Sequence, residues 1–265
     1  MRTIYYCFPD GRHKALTMSY DDGNIADRRL VEIFNTHGVK GTFHLNAGLL
    51  DTGDRVSSSE VKNLYTGHEV AAHAYTHPTL ERCPSEQVVL QLMEDRKALE
   101  RLVGYPVRGL SYPNGSHNRR IRDILPHVGI DYSRVVESTK SFSIPDDLYQ
   151  WRPTCHHNHD LMPLARAFVN QSKPAYLILM YVWGHSFEFD RQNNWDLIEE
   201  FCEFIGGRPD IWYATNIEIV DYLDTLKRLK FSAAGDLVYN PSVAPAWISV
   251  DGEVMEIKGG SCISI

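Results

Sequence analysis

The sequence predicts an α/β protein: a (β/α) barrel, distorted or incomplete, with a short β-rich appendage at its C-terminal end. Three observations lead there. Short apolar, β-rich runs alternate with longer segments of helical period, the pattern of a mainly parallel sheet flanked by helices. About seven such strand–helix units fit in the 265-residue chain, which suggests a barrel. From Phe231 on the texture changes: LVYN, AWISVDG, EVMEIKGG and SCISI are short β-like runs split by turn signals, with no helix after them. The expected division is therefore a barrel domain over 1–230 and an appendage over 231–265.

Taken in order, the strand runs are Leu16 to Tyr20, Gly41 to Leu45, Glu69 to Ala72, Gly109 to Tyr112, Tyr132 to Val136, Ala175 to Val182 and Ile211 to Ala214. The first helical segment, Ile25 to His37, stops at Gly38, a residue suited to the left-handed turn that ends helices. A second follows Pro84 with Ser85 as a fitting N-cap, carries Val89, Leu92, Arg96, Leu99 and Leu102 toward one side, and stops at Gly104. A third, Trp195 to Ile205, puts Trp195, Ile198, Phe201, Cys202 and Ile205 on one face and ends at Gly206-Gly207. Those stripes read as core.

Composition narrows the function. The net charge of −7 is spread along the chain without a basic stripe, so neither nucleic acid nor an anionic membrane is an expected partner. The N-terminal MRTIYYCFPDGRHK holds no apolar stretch long enough for a signal or an anchor, and the sequence as written is expected in the cytoplasm. Five widely spaced cysteines without a C-x-x-C pair indicate neither a disulfide framework nor a thiolate zinc site. No feature specifies a homo-oligomer.

Barrel chemistry sits where strands end, and the polar residues collect there. Asp21 and Asp22 follow the first run, His44 ends the second, His73 closes the third, Tyr112 ends the fourth, and His185 follows the strongly apolar YLILMYVWG. Within HAYTH, His73 and His77 are four residues apart, a spacing that lets two imidazoles face one metal. Pro78 disfavours helical geometry at His77, so that turn is expected to be a loop. A catalytic zinc site wants three protein ligands and an open position, and one of the two aspartates would supply the third. The other would then take the proton of the water that the metal acidifies. Rival uses of the pair fare worse: adjacent carboxylates at one strand end are poorly placed to flank a glycosidic bond, and no G-x-S-x-G, G-x-G-x-x-G or phosphate loop is present.

In this order and at these separations, SYDDG, HAYTH, SYPNG and WGH resemble the NodB-type polysaccharide deacetylases, over about residues 14–225. The resemblance implies a distorted (β/α) barrel, a divalent metal (usually Zn2+), and hydrolysis of an N-acetyl or related acyl group on an amino sugar, as a small molecule or an oligosaccharide. It makes Asp21 the general base, Asp22, His73 and His77 the metal ligands, and His185 the general acid, with the Asn114 N–H stabilising the oxyanion. An amidase using the same site on a non-sugar amide is the nearest alternative. A catalytically silent carbohydrate-binding relative is another, against which the presence of both Asp21 and His185 speaks.

The departures from the family pattern are specific. Ala74 stands where a Ser or Thr usually follows the first histidine, and Ser111-Tyr112-Pro113-Asn114-Gly115 replaces Arg-Pro-Pro-Tyr-Gly, removing the arginine that accompanies the catalytic aspartate. Arg152, in QWRPT, is expected to enter from a neighbouring strand end and hold Asp21 ionised, while Arg108, before its strand, belongs at the opposite end. Tyr112 and Trp151 are candidate substrate contacts, Trp151 by stacking on a sugar face, whereas Trp183 reads as core. His44 reads as a wall histidine and His117 and Asn118 as turn residues. CHHNH, with His156, His157 and His159, reads as a polar loop for want of a carboxylate at matching spacing, and Glu188 as a residue that orients a neighbour.

Overall fold

The computed structural model describes residues 2–265. After a short strand β1 (Ile4–Cys7), the repeating units run β2 (Lys14–Asp21), α1 (Asp27–His37), β3 (Gly41–Leu45), α2 (Val61–Leu64), β4 (Glu69–Ala72), α3 (Ser85–Val103), β5 (Gly109–Ser111), α4 (Arg119–Ile124) and β6 (Tyr132–Arg134). They continue with β7 (Cys155–His156), α5 (Leu161–Asn170), β8 (Ile178–Gly184), α6 (Phe187–Gln192), α7 (Trp195–Ile205), β9 (Ile211–Tyr213) and α8 (Asn216–Arg228). Five short strands close the chain: β10 (Lys230–Phe231), β11 (Leu237–Tyr239), β12 (Ala246–Val250), β13 (Glu253–Ile257) and β14 (Cys262–Ser264).

Strands β2 to β9 form one parallel sheet in the order β6-β5-β4-β3-β2-β8-β7, with β9 joined to β2 off that path. One edge of β2 is shared: Lys14–Leu16 pair with β9, and Met18–Asp21 with β3. The sheet curls into a distorted (β/α) barrel that the ladders do not close. Between β6 and β7 the chain is irregular, tied by one bridge from Arg134 to Trp151 and by the Thr154 N–H on Tyr181 O at 2.8 Å. β8 is offset from its sequence reading, starting at Ile178 where it meets Lys14 and reaching Gly184 opposite Tyr20, because its partner β2 sets its length.

The helices close on the signals that the sequence carries. α1 and α3 end at Gly38 and Gly104, both left-handed with φ of 66 and 84. α8 opens on a reciprocal capping box between Thr215 and Glu218. Ser85 is the first residue of α3 rather than its cap, and its Oγ accepts from Arg120 Nη1 at 3.0 Å. The buried face of α3 is Val88, Leu92, Asp95 and Leu99, turned by about one residue from the expected stripe. α7 buries the five residues expected of it.

The main core lies between the sheet and the helices. A second, holding Phe8, Trp151, Tyr181, Tyr222 and Ile248, joins α8 to the C-terminal strands. Those strands make two three-stranded antiparallel sheets, β10-β11-β14 and β1-β12-β13, so the N-terminal strand is built into the C-terminal β region. Tyr222 of α8 fastens the junction, donating to Cys7 O at 2.6 Å and accepting from the Trp247 N–H at 3.1 Å.

Candidate active site at the strand ends

The polar residues predicted at the C-terminal strand ends converge there. Asp21 is the last residue of β2 and is 3% exposed, while Asp22 begins the turn in the left-handed region (φ 83), followed by Gly23 (φ 62). A left-handed non-glycine residue costs on the order of 1–3 kcal/mol and persists where the surroundings fix it; here the Asp22 N–H is held by His44 O at 2.9 Å. The turn brings both carboxylates to the barrel mouth despite the alternation of a strand. The same device recurs in HAYTH, where Ala74 (φ 60) and His77 (φ 57) are left-handed, giving the loop expected there.

The two carboxylates have different partners. Asp21 Oδ1 accepts from Ser111 Oγ at 2.9 Å, and its Oδ2 is paired with the buried guanidinium of Arg134, with His44 Nδ1 3.4 Å from Oδ1. Burial alone would push the Asp21 carboxyl up, but Arg134 and the imidazoles of His73, His44 and His185 hold it well below the usual carboxylate range. Asp22 instead turns Oδ2 toward Arg55 Nη1 at 3.5 Å, and Arg55 also donates to Asp22 O at 3.0 Å. Its Oδ1 is buried without a hydrogen-bond partner, 3.7 Å from both His73 Nε2 and His77 Nε2.

The supports of His73 decide which nitrogen faces that oxygen. Its Nδ1 lies 2.8 Å from Ser111 O and 2.6 Å from Ser111 Oγ. Since Ser111 Oγ gives its own proton to Asp21, Nδ1–H is the donor of this contact, and the Nε2 lone pair is left toward Asp22. Buried Asp95 of α3 takes the His73 N–H at 2.9 Å and the Ala47 N–H at 2.7 Å, fixing the backbone; burial pushes its carboxyl up to about 8 against those two donors. Burial likewise carries His73 down to about 4 despite the aspartates, and His44 down to about 3, so both rings are neutral at pH 7.

Asp22, His73 and His77 have donor atoms within 4.8 Å of one another. Zinc bonds of about 2.0–2.1 Å would put tetrahedral donors roughly 3.4 Å apart, so an orphaned carboxylate oxygen between two imidazoles, one of them with its Nε2 lone pair turned toward it, fits a zinc-class ion.

His185 follows β8, 24% exposed, with Nδ1 3.3 Å from Glu188 Oε1. Burial would lower its pKa, but the Glu188 contact and the charges of Asp21 and Asp22 outweigh that and raise it. Asn114 is left-handed (φ 57) in the loop after β5. The neighbouring N–H groups of Tyr112, Gly115 and Ser116 are taken by Arg134 O, Tyr112 O and Pro113 O, which leaves the Asn114 N–H without a partner among the described residues.

Five expectations need correction. Arg152 is exposed, and the guanidinium on Asp21 is that of Arg134, one strand earlier. The reason is the register of the irregular closure: Trp151 is the residue bridged to Arg134, its side chain turns inward, and Arg152 turns out. Trp151 itself is 1% exposed and packed edge-on against Tyr132 and Tyr181, which removes it as a sugar platform. The aromatic at the site is Trp183, on whose face the Arg134 guanidinium lies at 4.4 Å, with the His185 ring 5.8 Å away. Tyr112 is also buried, its hydroxyl donated to Tyr149 O, so only its loop reaches the site. The CHHNH segment does have a carboxylate partner, since Glu188 Oε2 lies 3.0 Å from His156 Nε2 and 3.1 Å from His157 Nε2.

Other residues sit as read. His44 is a buried wall residue, Asn118 caps α4 through the Ile121 N–H at 3.1 Å, and Arg108 pairs with Asp131 and Asp221 away from the site. A cavity of about 640 Å³ lies at the opposite end of the barrel, lined by Arg12, Lys14, Ile178 and their neighbours and by none of the candidate residues. Sequence reasoning missed Arg134, Ser111 as a hydroxyl bridge, Arg55 and Asp95. For Arg134 a signal existed: an arginine inside a buried strand is tolerated only when paired.

The family model for polysaccharide deacetylases matches residues 9–133, which carry β2 to β5 with the aspartate pair, His73, His77 and Asn114. Just under half of this chain thus matches that family model. Among curated relatives, it is 25% identical over 131 residues to the peptidoglycan-N-acetylglucosamine deacetylase PgdA of Listeria monocytogenes, covering 48% of this chain and 27% of that one. It is 25% identical over 129 residues to the chitooligosaccharide deacetylase of Azorhizobium caulinodans, covering 48% and 55%. The matched stretch thus spans less than two thirds of either relative. The fold is shared with a putative polysaccharide deacetylase from Mycobacterium smegmatis (TM-score 0.63, 18% identity, 83% of this chain and 93% of that one). It is also shared with a family 4 carbohydrate esterase from Streptomyces lividans (TM-score 0.54, 14% identity, 77% and 93%). Arg134, the CHHNH segment, His185 and Glu188 lie beyond the residues that the family model matches.

Proposed function

We propose that the chain is a metal-dependent deacetylase that removes an N-acetyl or related acyl group from an amino sugar, with N-acetylglucosamine oligosaccharides as the substrate class suggested by the names of its relatives. The observation that carries this reading is the unequal state of the aspartate pair: Asp21 saturated by Arg134 and Ser111, Asp22 Oδ1 bare between two imidazoles. Asp22, His73 and His77 would hold a divalent ion, which would supply Lewis acidity and lower the pKa of a water. Asp21, kept ionised by Arg134 and aimed by Ser111, is the acceptor for the proton of the attacking water. Ser111 aims the Asp21 carboxylate and the His73 ring together through one hydroxyl. The Asn114 N–H faces the developing oxyanion of the acyl carbonyl. His185, its Nδ1 on Glu188 and its pKa raised, gives a proton from Nε2 to the departing nitrogen, so that the amine leaves neutral.

The test is acetate release from N-acetylglucosamine oligosaccharides with added zinc. Asp21→Asn and His185→Ala are expected to lower turnover by about 10²–10⁴-fold; equal, slow release by wild type and both variants would leave a carbohydrate-binding relative in place of an enzyme. Release from simple N-acyl amides but not from the sugars would move the reading to an amidase.

A further inference from the structure

A second convergence of donor atoms lies at the barrel mouth, and of its residues only Glu188, through Oε1 on His185, enters the reaction above. His156 ends β7, His157 follows it, and Glu188 comes from α6; one atom from each lies within 4.8 Å of the others. At 3.0 and 3.1 Å from the two ring nitrogens, Glu188 Oε2 is within hydrogen-bonding distance, yet it has no hydrogen-bond partner among the described residues. His157 is wholly buried, stacked between Tyr20 (ring centroids 5.7 Å, planes at 14°) and Phe189 (4.2 Å, 24°), and neither of its ring nitrogens has a hydrogen-bond partner among the described residues. Leaving such a group idle in the interior is unfavourable. The fold also makes room for this ring, since a Cβ at Gly184 would strike it.

We propose that His156, His157 and Glu188 form a second metal site, separate from the Asp22–His73–His77 site, for a divalent first-row ion of the zinc class. Two imidazoles and one carboxylate favour zinc and its neighbours over magnesium or calcium, which prefer all-oxygen ligands. His156 is the ligand that adjusts. Its Nδ1 accepts the Asn158 N–H at 3.2 Å, which keeps the ring proton on Nε2; when an ion takes Nε2, that proton moves to Nδ1 and the Asn158 amide turns away. Glu188 is shared, with Oε2 on the ion and Oε1 3.3 Å from His185 Nδ1, so the ion seats the carboxylate that orients His185.

The experiment is metal counting on the whole chain, stripped with chelator and dialysed against zinc, with elemental analysis of the bound ion. Wild type is expected to hold two ions per chain, Asp22→Ala one, His156→Ala one, and the double variant none. Glu188→Gln, which keeps shape and removes the anionic ligand, repeats the His156→Ala arm in a chain with little packing change. A single ion in wild type that Asp22→Ala abolishes, or two ions retained in both His156→Ala and Glu188→Gln, would overturn the proposal. A single ion lost in His156→Ala and kept in Asp22→Ala would uphold it while removing the metal from the proposed catalytic site, so the two readings fail separately.

Discussion

At the scale of single residues, the adjacent aspartates are tolerable because each repulsive charge has its own counterpart. Arg134 answers Asp21, and the imidazole pair with its room for a cation answers Asp22. A buried ion pair broken on one side leaves an uncompensated charge at a cost of about 3–5 kcal/mol. Arg134→Leu is therefore expected to lower unfolding stability by about that amount, while Arg152→Leu, at an exposed position, stays within about 0.5 kcal/mol. Urea unfolding of the two variants compares them directly, and an Arg152→Leu loss matching that of Arg134→Leu would restore the arginine to the position expected from sequence.

At the scale of elements, α3 reaches the proposed metal site without contributing a ligand. Asp95 points inward from its buried face and holds the His73 and Ala47 amides. Asp95→Asn turns one of its two acceptors into a donor aimed at a backbone N–H, so a loss of about 1–3 kcal/mol is expected in thermal or urea unfolding, and an unchanged midpoint would contradict the account. This contact was out of reach of sequence reading because the stripe drawn through Val89, Leu92, Arg96 and Leu99 lies about one residue off the buried face, and no local spacing links Asp95 to the backbone of His73 and Ala47. Strand positions were legible where alternation and turn signals agree, as β3 and β4 show by matching their expected bounds. They were less so where another strand sets the register, as at β8, or where the sheet fails to close, as between β6 and β7. Motif histidines and aspartates were readable because their spacing is local. The joining of His156 and His157 to Glu188 was not, because it exists only once β7 and α6 are brought side by side.

At the scale of the whole molecule, one parallel sheet carries every candidate side chain to one end, and the β strands drawn from both chain ends pack beneath α8, in the second core with Trp151. The consequence is a division of labour within two adjacent residues, which rests on which carboxylate is satisfied and which is bare. The most direct measurement pairs zinc content with acetate release in Asp21→Asn and Asp22→Ala. Asp21→Asn should bind zinc as wild type does while release falls by about 10²-fold or more, and Asp22→Ala should lose both the ion at this site and the activity. Loss of zinc from Asp21→Asn equal to that from Asp22→Ala, or undiminished release by Asp21→Asn, would contradict it.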